Sequence, residues 1–138
     1  SNYMHQFDLK NRTAIITGGA QGFGLDIARK FLNSGANVII WDIDEKELQN
    51  AVKKINNPKL AYNIIDVSNF EKVNNTVIEI NKSSNIDILI NNAGITGPTA
   101  ELWNYSIKDW NKVVEINLNG TFNCCKSIVP NMVKNDYD

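Results

Sequence analysis

Short blocks in which nearly every residue is apolar alternate along this chain with longer stretches in which apolar residues recur every three or four positions. The first kind of block reads as a buried strand, the second as an amphipathic helix. Residues 12–17 open the series as a strand. Residues 22–33 follow as a helix that gathers Leu25, Ile27, Ala28, Phe31 and Leu32 on one broad face. Gly35 stands where a helix commonly ends. A second strand covers 38–41. Asp44 then caps a helix bearing Leu48, Ala51, Val52 and Ile55, which stops ahead of Asn57-Pro58. The third strand, 60–65, is less purely apolar, as suits a sheet edge. Ser68 begins the next helix, with Glu71 completing a capping box and Val73, Val77 and Ile80 as its stripe. Residues 86–90 make a fourth strand. After a loop holding Gly94, Gly97 and Pro98, Ser106 opens a long helix that runs to Val133.

Strands dominated by Ile and Val, separated by helices, imply a parallel sheet covered on both faces. Right-handed crossovers favour the strand order 3-2-1-4. The expected fold is therefore α/β, a doubly wound parallel sheet of Rossmann type. The long helix is apolar over an unusually wide arc: Trp110, Val113, Val114, Leu118, Phe122, Cys125, Ile128, Val129 and Met132. One side of that arc can cover the sheet. The other asks for a second surface, such as the same helix, 106–133, of another subunit in a homo-oligomer.

Composition narrows the picture by exclusion. The 138 residues amount to one domain with a real core, and a net charge of −1 provides no basic field for nucleic acid or for a membrane surface. The longest apolar runs reach only about five residues against the ~20 that span a bilayer. No secretory pattern opens the chain. Ser1-Asn2-Tyr3 ahead of Met4 reads as a cloning scar, which leaves 4–138 as the domain. Cys124 and Cys125 are neighbours in a helical pattern, an arrangement suited neither to a simple disulfide nor to a metal pair. They read as reduced packing side chains of a cytoplasmic protein, and no metal site is expected.

The chemistry concentrates where strands end. Thr17-Gly18-Gly19-Ala20-Gln21-Gly22-Phe23-Gly24 turns the first strand into the first helix. Glycines there allow a tight turn and let backbone N–H groups approach a pyrophosphate, which the helix N-terminus also attracts. Asp42, eighteen residues after Gly24, sits at the tip of the second strand, the usual spacing for a carboxylate that accepts from the adenosine ribose hydroxyls. A 2′-phosphate would meet that negative charge, so NAD is the expected cofactor rather than NADP; the residue before Gly22 is Gln21, not Arg. A simpler role for Asp42 is to cap a strand end or helix. Asp66-Val67 ends the third strand, where a carboxylate and an N–H can read the adenine edge, or where the Asp serves only the turn. Asn91-Asn92-Ala93-Gly94 follows the fourth strand, and Asn117-Leu118-Asn119-Gly120 lies within the long helix, where polar residues and a glycine call for a bend or a function.

In order and spacing, these motifs resemble the short-chain dehydrogenase/reductase family along the whole chain. Closest in flavour are bacterial 3-oxoacyl-carrier-protein reductases and sugar or polyol dehydrogenases. The resemblance implies an NAD-dependent oxidoreductase that moves a hydride between nicotinamide and a carbonyl or secondary alcohol. It implies cofactor contacts at Gly18, Gln21, Gly22, Phe23, Gly24, Asp42, Ile43, Asp66, Val67, Asn92, Ala93 and Gly94. It also makes Asn117 the Asn of the catalytic tetrad, holding a water in a proton relay and distorting its helix.

The family's Ser and its Tyr-x-x-x-Lys pair have no counterpart here. None of Tyr3, Tyr62, Tyr105 and Tyr137 has Lys four residues on, and the lone His5 reads as tail or surface. A phenol with an ordinary pKa near 10 needs a neighbouring cation to exchange protons near neutrality. The expectation is an N-terminal half, truncated before the fifth strand and inactive by itself, with an apolar fourth-strand edge left open. The rival reading is a catalytically inactive dinucleotide-binding or interaction module. A flavin or S-adenosylmethionine protein also pairs a glycine loop with a ribose-binding acid, but Asn91 to Gly94 together with Asn117 speak against it. The loop 95–103 is a candidate for substrate contact, although its composition names no substrate.

Overall fold

Strands β1 (Thr13–Thr17), β2 (Asn37–Asp42), β3 (Leu60–Ile64) and β4 (Ile88–Ile90) lie parallel in one sheet, in the order 3-2-1-4. The computed structural model describes residues 8–95, 97 and 100–135. Met4, His5, Tyr3, Pro98 and Tyr137 lie outside the described residues. Helices α1 (Gly22–Asn33), α2 (Glu45–Ile55) and α3 (Phe70–Asn81) make the crossovers, and α4 (Ile107–Val114) and α5 (Gly120–Asn135) follow β4.

Adjacent apolar residues on a strand face opposite sides of a sheet, so runs such as Ile15-Ile16 and Ile40-Trp41 require both faces to be covered. They are. Ile16, Val38 and Ile40 pack with Ala28 and Leu32 of α1 and with Leu48 and Ala51 of α2. Ile15 and Trp41 pack on the other side with Val73 and Val77 of α3 and with Cys124 and Ile128 of α5. Ile15, Ile16, Ile40 and Trp41 are all fully buried, each aliphatic one contributing about 2 kcal/mol. The Trp41 indole N–H donates to Asn63 Oδ1 at 3.1 Å, so the buried ring keeps a polar partner. Burial pushes the Cys124 thiol up from 9.0 to about 12, with Cys125 adding to the rise; this is the neutral packing role its position suggests.

Several boundaries differ from those the pattern predicts. β1 starts at Thr13, β2 widens to Asn37–Asp42, β3 stops at Ile64 and β4 shortens to Ile88–Ile90. The bonds Ile65 N to Asp42 O and Asp87 N to Thr13 O, both 2.9 Å, continue the ladders just past those ends, where strands fray into loops. The α3 cap is Asn69, whose side chain accepts from Lys72 N at 3.1 Å, and not Ser68. Ser68 Oγ is held by Asp66 Oδ1 at 2.7 Å, which removes it from capping.

The long helix expected over 106–133 is helical without a break from Ile107 to Asn135, but its middle turn is wound differently from the rest. Ser106 does open it, accepting from Asp109 N at 3.0 Å. A π-turn, Glu115–Asn119, then separates α4 from α5, with Gly120 N bonded back to Glu115 O. Leu118, Phe122 and Val133 point away from the sheet and are 65%, 60% and 70% exposed. Among the described residues no helix is long and apolar enough to cross a membrane.

Candidate functional site

Register aligns the strand tips. Thr17 of β1 pairs with Trp41 of β2, and Asp42 with Ile64 of β3, so the loops that follow emerge at one level. Sequence order reverses direction across the sheet between β1 and β4, where a crevice is expected to open at the carboxyl ends. A cleft of about 320 Å³ lies there, lined by Gly18, Gln21, Trp41, Asp42, Ile43, Ile65, Asp66, Val67, Asn92, Ala93, Gly94, Ile95 and Ile116.

The β1–α1 loop forms one wall. Gly22 has φ +58, and a Cβ added to it would meet nothing within 4 Å, so the loop there is both left-handed and open above. Gly24 is the opposite case. A Cβ on it would come 2.3 Å from Gly18 O and 2.6 Å from Asn92 Nδ2, so α1 can seat on the loop only because this residue lacks one. Gln21 is the N-cap of α1 in extended conformation and supplies no side-chain bond, and the first turn carries no acidic residue. Gly22, Phe23 and Gly24 do not line the cleft itself. Phe23 is 74% exposed, and Gly24 is buried under the loop.

Asp42 braces this wall from β2. Its Oδ2 accepts from Ala20 N at 3.3 Å and its Oδ1 from Asp44 N at 3.2 Å. Asp66 serves a turn, with Oδ1 accepting from both Ser68 N at 3.0 Å and Ser68 Oγ at 2.7 Å. No residue lining the cleft is Lys or Arg, so an anion held there would meet backbone N–H groups and a helix dipole rather than a cation. Among the described residues no group of His, Cys, Asp and Glu is arranged to hold a metal ion.

The far wall is tied to β1 by a hydroxyl. Thr17 Oγ1 accepts from Asn92 N at 3.0 Å and Ala93 N at 2.9 Å, and lies 3.4 Å from Ile90 O, to which it donates. Asn92 Nδ2 donates to Gly18 O at 3.1 Å, closing the link in the other direction. Behind this wall stands Asn117 in the π-turn. Its Oδ1 accepts from Ile95 N at 2.7 Å, and its Nδ2 donates to Ile95 O at 2.8 Å. One amide side chain thus satisfies both backbone groups of a loop residue, and the Asn117 carbonyl accepts from Thr121 Oγ1 at 3.0 Å. Of the tyrosines among the described residues, Tyr62 packs beside the α1–α2 core and Tyr105 against Gly97; neither lines the cleft.

A larger polar depression of about 520 Å³, lined by residues including Lys10, Arg12, Ser83 and Asp87, lies at the opposite end of the sheet. It borders the amino ends of β1 and β2 and the segment leading into β4, away from the loops that carry the motifs.

The family model for the short chain dehydrogenase matches residues 12–137. This chain belongs to the short-chain dehydrogenase family. It is 35% identical over 130 residues to a 3-oxoacyl-(acyl-carrier-protein) reductase of Chlamydia muridarum, covering 91% of this chain and 52% of that protein. It is also 35% identical over 130 residues to the 2-dehydro-3-deoxy-L-rhamnonate dehydrogenase (NAD(+)) of a Sphingomonas species, covering 91% and 50%. Among solved structures it is similar to L-sorbose reductase from Gluconobacter frateurii complexed with NADPH and L-sorbose, with a TM-score of 0.83, 25% identity, and coverage of 94% of this chain and 51% of that one. The chain spans about half the length of the curated relatives it matches.

The cleft of this short-chain dehydrogenase also gives residues roles that the sequence reading did not assign. Thr17 reads as the last residue of a strand, and only its 1% exposure and three hydrogen bonds show that it holds the β1–β4 crevice together. A hydroxyl ending an apolar run was the available signal. Ile95, the first residue of the loop named as a candidate for substrate contact, adds apolar lining, and so does Ile116, which nothing in its local sequence marks.

Proposed function

We propose that this short-chain dehydrogenase chain supplies the NAD(H)-binding part of an oxidoreductase acting on a carbonyl or secondary alcohol, of the 3-oxoacyl thioester or sugar/polyol type that its relatives' names describe. The observation that carries the reading is Asp42: a carboxylate fixed by two backbone N–H groups at the tip of β2, in a cleft whose lining has no cation to offset it. Such a group favours free ribose hydroxyls and opposes a 2′-phosphate. The open space over Gly22 is the cradle a pyrophosphate needs.

Bound there, the dinucleotide supplies the hydride donor or acceptor. Backbone N–H groups at Gln21, Gly22 and Phe23 hold the diphosphate at the start of α1, which Gly24 seats against Gly18 from below, while Asp42 and Ile43 flank the adenosine ribose. The Asp66 carboxylate accepts from the adenine amino group, and Val67 N–H donates to the ring nitrogen beside it. Asn92, Ala93 and Gly94 bring backbone close to the nicotinamide half. Asn117 keeps Ile95 in place and holds a water of the proton relay. No Tyr has Lys four residues on, so these 138 residues bind the cofactor without turning substrate over. The outward face of the helical run 107–135, with exposed Leu118 of the π-turn and Phe122 of α5, joins copies of the protein, which works in the cytoplasm. A sedimentation mass of one protomer contradicts the joining.

The test is titration of the full-length protein with NADH and NADPH, as wild type and as Asp42→Ala. The expected wild-type preference for NADH is about tenfold or more, and the variant loses it by weakening NADH about tenfold. Equal wild-type affinities overturn the NAD assignment. Binding of neither cofactor overturns the whole reading and leaves the inactive interaction module.

A further inference from the structure

Asn123 lies on the first turn of α5, on the face turned towards the sheet, and is only 8% exposed. Its neighbours on that face are Cys124 and Ile128, both buried apolar residues. An amide in such a place is costly unless its hydrogens are taken. They are taken by the loop after β3: Asn123 Nδ2 donates to Val67 O at 3.0 Å and to Ser68 O at 3.2 Å. One turn earlier on the helix is Gly120, where a Cβ would come 2.5 Å from Val67 Cγ2. α5 therefore holds this loop by an amide and by close packing at once.

The Val67–Ser68 peptide relays that hold. In a trans peptide the C=O and N–H point in opposite directions. The carbonyl of this peptide is fixed by Asn123, and its N–H, on Ser68, donates to Asp66 Oδ1 at 3.0 Å. Ser68 Oγ bonds the same oxygen. The carboxylate is thereby anchored through one oxygen on the turn side, and Asp66 and Val67 both line the cleft. Among the described residues no hydrogen bond takes up the Val67 N–H.

We infer that Asn123 is a positioning residue for base selection: acting through the Val67–Ser68 peptide, it aims the Asp66 carboxylate and the Val67 N–H at the amino group and ring nitrogen of adenine. This rests on the cofactor reading above and deepens it, since the residue touches neither the cofactor nor the substrate. Hypoxanthine distinguishes the role from simple stability. It replaces the amino group with a carbonyl and puts a hydrogen on the ring nitrogen, so both contacts are lost.

The experiment compares the affinities of the full-length protein for NADH and for reduced nicotinamide hypoxanthine dinucleotide, as wild type, Asn123→Ala and Gly120→Ala. Wild type is expected to prefer NADH about tenfold, as two hydrogen bonds of ordinary net strength imply. Asn123→Ala is expected to bring the ratio near parity by weakening NADH while leaving the hypoxanthine analogue nearly unchanged. Gly120→Ala pushes the loop from the same helix without removing a hydrogen bond; it is expected to lower the ratio too, and it carries the test if Asn123→Ala does not fold. A ratio that survives both substitutions, or affinities that fall in parallel, overturns the inference while the cofactor reading stands. A wild type that binds both dinucleotides equally overturns adenine reading by Asp66 and Val67, and this inference with it. Failure to bind NADH at all belongs to the cofactor reading instead.

Discussion

Asp44, Asn69 and Ser106 each turn a side-chain oxygen onto the first turn of the helix that follows, whereas Gln21 provides α1 with no such bond. The same three helices carry acids in their first turns, Glu45 and Glu47 in α2, Glu71 in α3 and Asp109 in α4; α1 carries none. Every helix start has free N–H groups and a partial positive charge to satisfy. Three helices of this protein satisfy them locally. α1 leaves them facing the open space beside Gly22, next to a cleft at the strand tips. The difference teaches that a binding site can be made by withholding an ordinary stabilising residue where neighbouring helices have one.

Three substitutions probe that contrast. The largest expected effect is Gly24→Val, which sets side-chain atoms into Gly18 O and Asn92 Nδ2 and lifts α1 off its loop. Overpacking of this kind costs about 3 kcal/mol, read by denaturant unfolding, and the displaced loop lowers NADH affinity by roughly a hundredfold. Gln21→Asp gives α1 what its neighbours have. Gln21 already has the extended backbone of a cap, so stability rises by about 1 kcal/mol. NADH affinity falls about tenfold as the new carboxylate takes the N–H groups and repels the diphosphate. An increase in both quantities breaks the comparison. The smallest effect is Ser106→Ala, which removes the α4 cap for about 1 kcal/mol and leaves NADH titration unchanged. A matching loss of affinity there would erase the distinction between the two kinds of helix start.

Much of the framework was legible because the chain states it in apolar patterns. Adjacent residues such as Ile15 and Ile16 announce a sheet buried on both sides, and they do separate into two cores. Asp44 announced its cap, and the polar run Asn117 to Gly120 marked the place of the π-turn. Other features depend on partners that sequence does not name. Ser68 and Asn69 are both good caps, and the choice was made by the Asp66 carboxylate holding the Ser68 hydroxyl. The i→i+5 bond at Gly120 is invisible from a helical repeat. Asn123 looks like any other residue of an asparagine-rich chain until α5 is laid against the loop after β3.

The cleft wall offers no lysine or arginine to a guest. Fixed dipoles act at short range, whereas full charges draw anions in from a Debye length away. The charged groups that do line the cleft, Asp42 and Asp66, are acidic, so a dinucleotide entering it would gain no long-distance attraction from that lining. Discrimination against a 2′-phosphate, which rests on the Asp42 carboxylate in that lining, would soften as added salt screens the charge.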